Sequence, residues 1–304
     1  MFNFFKKFFP VRKGQNQSYG RSASTPVKTA PLEAENPALE SDKLAGFTPA
    51  QFEIGTGQNI GLQRDHNEDT IFVFQSVLAG GQEEVQFGLY LVADGMGGYE
   101  YGEVASSIAA RAAAEYILSR IYIPYIAPAG EIPTESLQEV VEASVQYAQT
   151  LVKQRAPGGG TTLTAVLVIG EQVTIAHVGD SRAYMLHLDG RIELLTKDHS
   201  LVHKLVELGQ ITEEEALTHP NRNVLYRALG QPEAIEPDVM SMQLSHSSYL
   251  ILCSDGLWGA VPDTDIAEIV LSAASPSQAC KTLVQAANEN GGPDNISVIV
   301  MRYV

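Results

Sequence analysis

Cysteine is nearly missing: Cys253 and Cys280 are the only two in 304 residues. Two are too few for a disulfide framework, and they lack the CxxC spacing of a metal or redox motif. Cys253, inside the apolar run YLILCSDG, reads as a buried, reduced thiol. No stretch of eighteen apolar residues occurs, so no segment reads as a transmembrane helix. Positive charge is scarce as well, with 20 Lys and Arg against 36 Asp and Glu and a net charge of -16. A chain this acidic repels phosphodiester backbones, which argues against nucleic acid as a partner. The start, MFNFFKKFFPVRKG, lacks the unbroken apolar core of a signal peptide because Lys6 and Lys7 interrupt it. The expected location is therefore the cytoplasm.

Residues 1–46 differ from the remainder. They are rich in Ser, Pro, Ala and Gln without a hydrophobic period, and read as a flexible basic and aromatic tail. The first fifty residues hold seven Lys/Arg and four acids, so they carry +3 and the rest of the chain -19. Phe4, Phe5, Phe8 and Phe9 recur at near-helical spacing beside Lys6, Lys7, Arg12 and Lys13, before Pro10 limits the helix to two turns. Two readings of the tail stay open. One is a disordered terminus without a partner; the other is a weak anchor on an anionic membrane surface or a partner protein.

Residues 47–304 read as a single packed domain. Apolar runs such as TIFVFQSVL, VQFGLYLVAD, TLTAVLVIG, QVTIAHVG, YLILCSD and ISVIVMRYV predict strands. Leu188-Asp189-Gly190-Arg191 predicts a hairpin turn between SRAYMLHL and RIELLT. Helices are expected over 103–121, 135–155, 264–273 and 277–288. Long helices separate groups of strands instead of following each strand, which favours an α+β fold with antiparallel sheets.

Aspartates sit at the strand ends. LYLVADGMGG, TIAHVGDSRAY and LILCSDGLWG each run into an Asp at a turn, and Asp294 stands just before the strand of GGPDNISVIV. Asp-Gly alone is ordinary turn chemistry. Four such carboxylates in one domain, with Glu68 and Asp69 in RDHNEDT, point further. If the sheets bring them together, they cannot all ionise without a cation, and an all-oxygen ligand set suits Mg²⁺ or Mn²⁺ rather than zinc.

The ordered motifs Arg64 to Asp69, VADGMGG, GGTT, VGDSRAY, TKDHS, HPNRNVLYRALG, SDGLW and GGPDNISVIV make the chain resemble the metal-dependent protein phosphatases of type 2C (PPM), their bacterial branch in particular. The resemblance covers residues 52–304. It implies a central β-sandwich of two antiparallel sheets with helices on both sides, four layers in the order α-β-β-α. It implies a serine/threonine protein phosphatase with a signalling role, acting on phosphorylated proteins through a water held between two cations, without a phosphoenzyme. By the same resemblance Asp94 bridges both Mn²⁺ or Mg²⁺ ions, Asp255 and Asp294 complete one site, and the Gly95 carbonyl serves the other. Glu68 and Asp69 would act through metal-bound waters, and Asp180 with Asp255 would hold a third, weaker ion. Arg64 would take the phosphate bidentately. The segment near 198–224 corresponds to the family's flap, with Arg222 and Asn223 as candidate substrate contacts. Relatives that carry His two residues after the bridging Asp use it as an acid; Met96 stands there and cannot donate a proton.

Other signals carry less. Gly95-x-Gly97 lacks the third glycine of a dinucleotide loop, and the Gly158–Gly160 run lacks the lysine of a phosphate loop. His199 and His203 have the spacing of a helical metal pair but no third ligand, so both are expected as solvated helix residues. Trp258 is expected to pack beside the Asp255 turn. A monomer is the expected state. Two further readings stand beside the phosphatase: a catalytically dead docking module of the same fold, and a phosphatase of small-molecule phosphates.

Overall fold

The computed structural model describes residues 52–80, 83–97, 100–127, 135–244 and 248–303. The tail, and its expected boundary at 46/47, lie outside them.

In chain order the strands are β1 (Phe52–Asn59), β2 (Thr70–Gly80), β3 (Glu83–Ala93), β4 (Gly95–Met96), β5 (Gly160–Thr161), β6 (Leu163–Ile169), β7 (Gln172–Val178), β8 (Arg182–His187), β9 (Ile192–Leu194), β10 (Asp238–Gln243), β11 (Ser248–Cys253) and β12 (Ile296–Tyr303). The helices are α1 (Glu100–Ile117), α2 (Ile123–Ile126), α3 (Leu137–Arg155), α4 (Leu201–Glu207), α5 (Glu213–Leu217), α6 (Asp255–Trp258), α7 (Asp263–Ser272) and α8 (Pro276–Glu289). Two five-stranded antiparallel sheets form, in the orders β1-β12-β11-β8-β9 and β10-β7-β6-β3-β2, with β4 and β5 as a separate ribbon.

Strand alternation builds the sandwich. On β12, Ile299 and Met301 face the other sheet among Tyr90, Val92, Val166 and Ile175. Ile296, Val298 and Val300 face outward under α7 and α8, against Ile266, Val270, Cys280 and Leu283. A strand covered on both faces has to be apolar throughout, which is why ISVIVMRY reads as one run. On the far side α1 packs on α3, and the two cover β2, β3, β6 and β7. The expected α-β-β-α layering is therefore present.

The helix ends moved from their expected places for local reasons. α3 starts at Leu137, two residues late, because Ser136 and Glu139 form a capping box: Ser136 Oγ accepts from Glu139 N–H at 3.2 Å and Ser136 N–H donates to Glu139 at 2.6 Å. The α-helix α1 begins at Glu100 and ends at Ile117, where a π-helical turn (Leu118–Tyr122) leads into α2, whose second residue is Pro124. β1 was not expected as a strand. Its Gly55 lies so close under α8 that a Cβ would meet Ser277 N at 2.4 Å, so small residues were needed where strand formers would have given the signal. The Asp189-Gly190 hairpin formed as expected, with Gly190 at φ +90 and its N–H on the His187 carbonyl at 3.0 Å.

Among the described residues no helix is long and apolar enough to cross a membrane.

Candidate active site

At one end of the sandwich, five chain segments deliver carboxylates. Asp94 follows β3 and is fixed by its own backbone: Thr162 N–H donates to its carbonyl at 2.9 Å, and its N–H donates to Thr162 Oγ1 at 2.9 Å. Asp180 follows Gly179 at the end of β7, Asp255 opens α6, and Asp294 precedes β12. Asn295, almost fully buried, is the fastener. Its amide donates to the carbonyls of Ile60 and His66, both at 2.9 Å, and its oxygen accepts Glu68 N–H at 2.8 Å. The 60–69 loop is thereby laid against the start of β12, with Arg64, Glu68 and Asp69 at the cluster.

These groups are charged against one another. Asp69 is buried, and its carboxyl is pushed up to about 7, first by burial and then by Asp255 and Asp294, against hydrogen bonds from Ser297 and Ser254. Asp255 is raised to about 6 by burial and by Asp294, while Asp94 and Arg64 work the other way. Asp94 is held well above the carboxylate range by burial and the charges of Asp69, Asp255, Asp180 and Asp294. Asp180 is raised by burial, Asp255 and Asp198. The cluster is eased by Ser254 Oγ, which donates to Asp69 Oδ2 at 2.8 Å, and by Arg64, whose Nη2 donates to Asp294 Oδ2 at 2.6 Å. That pair, with Asp294, raises the already high pKa of Arg64.

The residues fit a divalent cation by their chemistry. Asp69 Oδ1 and Asp255 Oδ1 are both buried without a hydrogen-bond partner, a costly arrangement for carboxylate oxygens unless a cation compensates them. Every donor is oxygen, the set preferred by Mg²⁺ and Mn²⁺. Among the described residues no three His, Cys, Asp or Glu side chains are already drawn around one point as ligands; Arg64 and Ser254 hold Asp294 and Asp69 instead.

A cleft of about 680 Å³ opens onto this end. Arg64, Asp180, Asp255 and Asp294 line it from the sandwich, and Arg222 and Asn223 line it from the segment 198–224, which carries α4 and α5. Those six expected residues are therefore brought to one cavity. Asp69 and Glu68 lie buried behind it, Glu68 with Oε1 3.3 Å from His66 Nε2. Gly95 is also required by packing. A Cβ there would sit 2.5 Å from the Glu68 carbonyl oxygen, so the glycine lets the 60–69 loop and α1 close on the Asp94 turn. Met96 pairs with Gly160 in the β4–β5 ribbon.

Two expectations are corrected or extended. His199 is not a solvated helix residue: it is 1% exposed and precedes α4. Its Nδ1 accepts Gly179 N–H at 3.0 Å, and its Nε2 faces Asp238 at 3.2 Å. The i, i+4 spacing with His203 concealed this, because the partners come from the turn after β7 and from β10. Trp258 packs beside Asp255 as expected, and its Nε1–H also donates to the Asp180 carbonyl at 3.0 Å. Asn295, Ser254 and Thr162 support the cluster yet were not singled out. Their only trace in the sequence is position, each next to or near an Asp or Gly turn.

Comparison with known proteins places these features. The family model described as protein phosphatase 2C matches residues 55–296. The serine/threonine phosphatase stp of Listeria welshimeri is 39% identical over 246 residues, covering 79% of this chain and 92% of its own. The serine/threonine phosphatase of S. agalactiae superposes with a TM-score of 0.69 at 32% identity, over 83% of this chain and 99% of that one. The catalytic domain of the phosphatase PstP, solved with two manganese ions, gives 0.66 at 32% identity, over 83% and 98%.

Proposed function

The chain belongs to the protein phosphatase 2C family and is a metal-dependent serine/threonine phosphatase, and on that premise we propose that the acidic end of its sandwich is where phosphoserine and phosphothreonine are hydrolysed. The observation that carries this reading is the pair of partnerless buried oxygens on Asp69 and Asp255, within a set of carboxylates that raise one another's pKa.

Asp94, Asp255 and Asp294, with the Gly95 carbonyl, would hold two cations; Glu68 and Asp69 would steady them through water, and Asp180 with Asp255 would take a third, weaker one. The manganese pair in PstP supports Mn²⁺ here, and the oxygen donors admit Mg²⁺ equally. Bound cations supply a water of lowered pKa and a clamp on the phosphoryl oxygens. The chain's own groups do the remaining work. Arg64 leaves Asp294 to grip the phosphate, since its guanidinium is about half exposed and already aimed at the cluster. Arg222 and Asn223 on the opposite wall touch the peptide that carries it. Met96 moves no proton, so the leaving alkoxide is protonated from elsewhere than this position.

Titration calorimetry with Mn²⁺ beside turnover of a phosphothreonine peptide tests the assignment. The parent should bind Mn²⁺ and turn over, and Asp255→Asn should lose both. Mn²⁺ binding of equal strength in parent and Asp255→Asn would remove Asp255 from the site.

A further inference from the structure

Arg182, at the start of β8, is a side chain that the phosphatase reading leaves without a task, and its surroundings are unusually complete. Its Nε and Nη2 donate to the two oxygens of Asp198 at 3.1 and 2.8 Å, the fork-on-carboxylate pairing. Nη1 donates to Tyr184 OH at 3.2 Å, and that hydroxyl donates onward to Asp263 at 3.1 Å. The guanidinium carbon lies 3.7 Å from the centre of the Trp258 ring, whose N–H holds the Asp180 carbonyl. Burial works against the charge on Arg182, and Asp198 more than offsets it, so its pKa is raised.

Stability alone does not account for such a pair. The Arg182 and Asp198 side chains are 19% and 7% exposed, and a pair so far out of water gains little over apolar residues of similar size. What the pair does is fix a register. Arg182 is two residues from Asp180, and Trp258 ends the helix that Asp255 begins. Asp198 also lines the cleft, two residues before Ser200, whose Oγ caps α4 by accepting His203 N–H at 3.3 Å. His199 repeats the tie one residue on, since its N–H donates to the Gly179 carbonyl at 2.7 Å. One guanidinium therefore touches the Asp255 helix and the root of the 198–224 insertion, and reaches the Asp180 turn through Trp258.

We propose that Arg182 is a positioning residue that locks the root of this insertion to the Asp180 turn, so that a phosphorylated peptide meets insertion and carboxylates as one surface. The proposal rests on the cleft being the phosphatase site. A small aryl phosphate, which does not reach the insertion, depends on this lock less than a peptide does.

The test uses the Mn²⁺-loaded full chain and the variants Arg182→Lys, Asp198→Asn and the double variant. Lysine keeps the charge but neither forks onto Asp198 nor stacks on Trp258. Arg182→Lys should speed amide hydrogen exchange over residues 199–217 by about ten-fold while β6 and β12 keep their protection. KM should rise about ten-fold for a phosphothreonine peptide and no more than about three-fold for an aryl phosphate. The double variant should be no worse than Arg182→Lys, because the two changes break one interaction. Unchanged exchange in the insertion, exchange that rises equally across the domain, or equal losses on both substrates would each overturn the proposal. Should Arg182→Lys not fold, Asp198→Asn carries the same test, since it keeps the shape and removes the charge. If the parent hydrolyses neither substrate, the reading of the cleft fails by itself, and the exchange measurement still decides the role of Arg182.

Discussion

Two buried polar clusters in this domain have been given opposite treatment. Around His177 and His199, both 1% exposed, each ring nitrogen has a partner. His177 Nε2 faces the carbonyls of Gly179 and Lys197 at 3.0 and 3.1 Å, and its Nδ1 meets Thr164 Oγ1 at 2.9 Å. His199 lies between Gly179 N–H and Asp238, and Arg227 donates to Asp238 at 2.8 Å. In the carboxylate cluster, by contrast, two oxygens have no partner and like charges crowd together. A satisfied network stabilises the fold in which it sits. An unsatisfied one costs stability, a cost that the cations proposed above would offset on binding.

The largest effects should come from removing one member of each cluster. Asp94→Ala is expected to lower kcat by about a thousand-fold or more while leaving the metal-free protein at least as stable as the parent, because a crowded carboxylate is gone. The rise in Tm on adding Mn²⁺ should shrink with it. His199→Ala should do the reverse, costing about 2–3 kcal/mol of stability by stranding the buried Gly179 N–H and leaving a cavity where the ring was. Melting curves with and without Mn²⁺, beside turnover, check both. A metal-free Asp94→Ala protein much less stable than the parent would erase the distinction.

Acidity sharpens the contrast, since the clusters respond in opposite directions. Asp69 and Asp255 titrate near 7 and 6 in the folded protein against an ordinary 3.8, so the native state keeps protons that the unfolded chain has lost. Their contribution is full below about pH 4 and is lost as pH rises through 6 to 7. His177 is depressed from 6.5 to about 4, and His199 is depressed as well, both chiefly by burial. Their contribution is present above 6.5 and is lost as pH falls towards 4. Between pH 4 and 6.5 the two contributions oppose one another, and chelator-treated protein should lose Tm from pH 6.5 to 8, where only the carboxylates still respond. Mn²⁺ should raise Tm most above pH 7, where it no longer competes with protons. A metal-free Tm that keeps climbing from pH 6 to 8 would contradict the carboxylate half.

Arg64→Ala comes next in size. It removes the phosphate grip and also releases Asp294, so KM should rise about ten-fold with a smaller change in kcat. Arg222→Ala, on the far wall, should raise KM for a phosphopeptide by about two- to five-fold. Steady-state kinetics on peptide and aryl phosphate separate the two.

Much of the fold was legible because the inner strands are covered on both faces, and ISVIVMRYV, TLTAVLVIG and YLILCSD have to be apolar to be covered. Two of the four edge strands, β1 and β10, were not, whereas β2 and β9 were. β1 trades strand formers for Gly55 and Gly57 under α8, and β10, DVMSMQ, is half exposed along its length. For the site, aspartates at strand ends were visible because a buried strand running into a carboxylate is rare without a purpose. Asn295 and Asp198 were not visible. Their roles consist of partners distant in sequence, Glu68 for one and Arg182 for the other, and no local pattern encodes those meetings.

The insertion has a second moored end. Leu229 exchanges two backbone hydrogen bonds with Thr161, at 3.0 and 2.9 Å, and Thr161 sits in the ribbon beside the Asp94 turn. The chain from Asp198 to Leu229 is thus a closed loop whose ends stay put whatever lies between them. Chain statistics make the length of such a loop cheap, since doubling it costs only about 0.6 kcal/mol in closure entropy. The exposed turn at Leu208 and Gly209, between α4 and α5, can therefore be lengthened, shortened or exchanged for another with little effect on the sandwich. On the function proposed above, specificity would be carried on a replaceable cartridge, with the carboxylates in the frame that receives it.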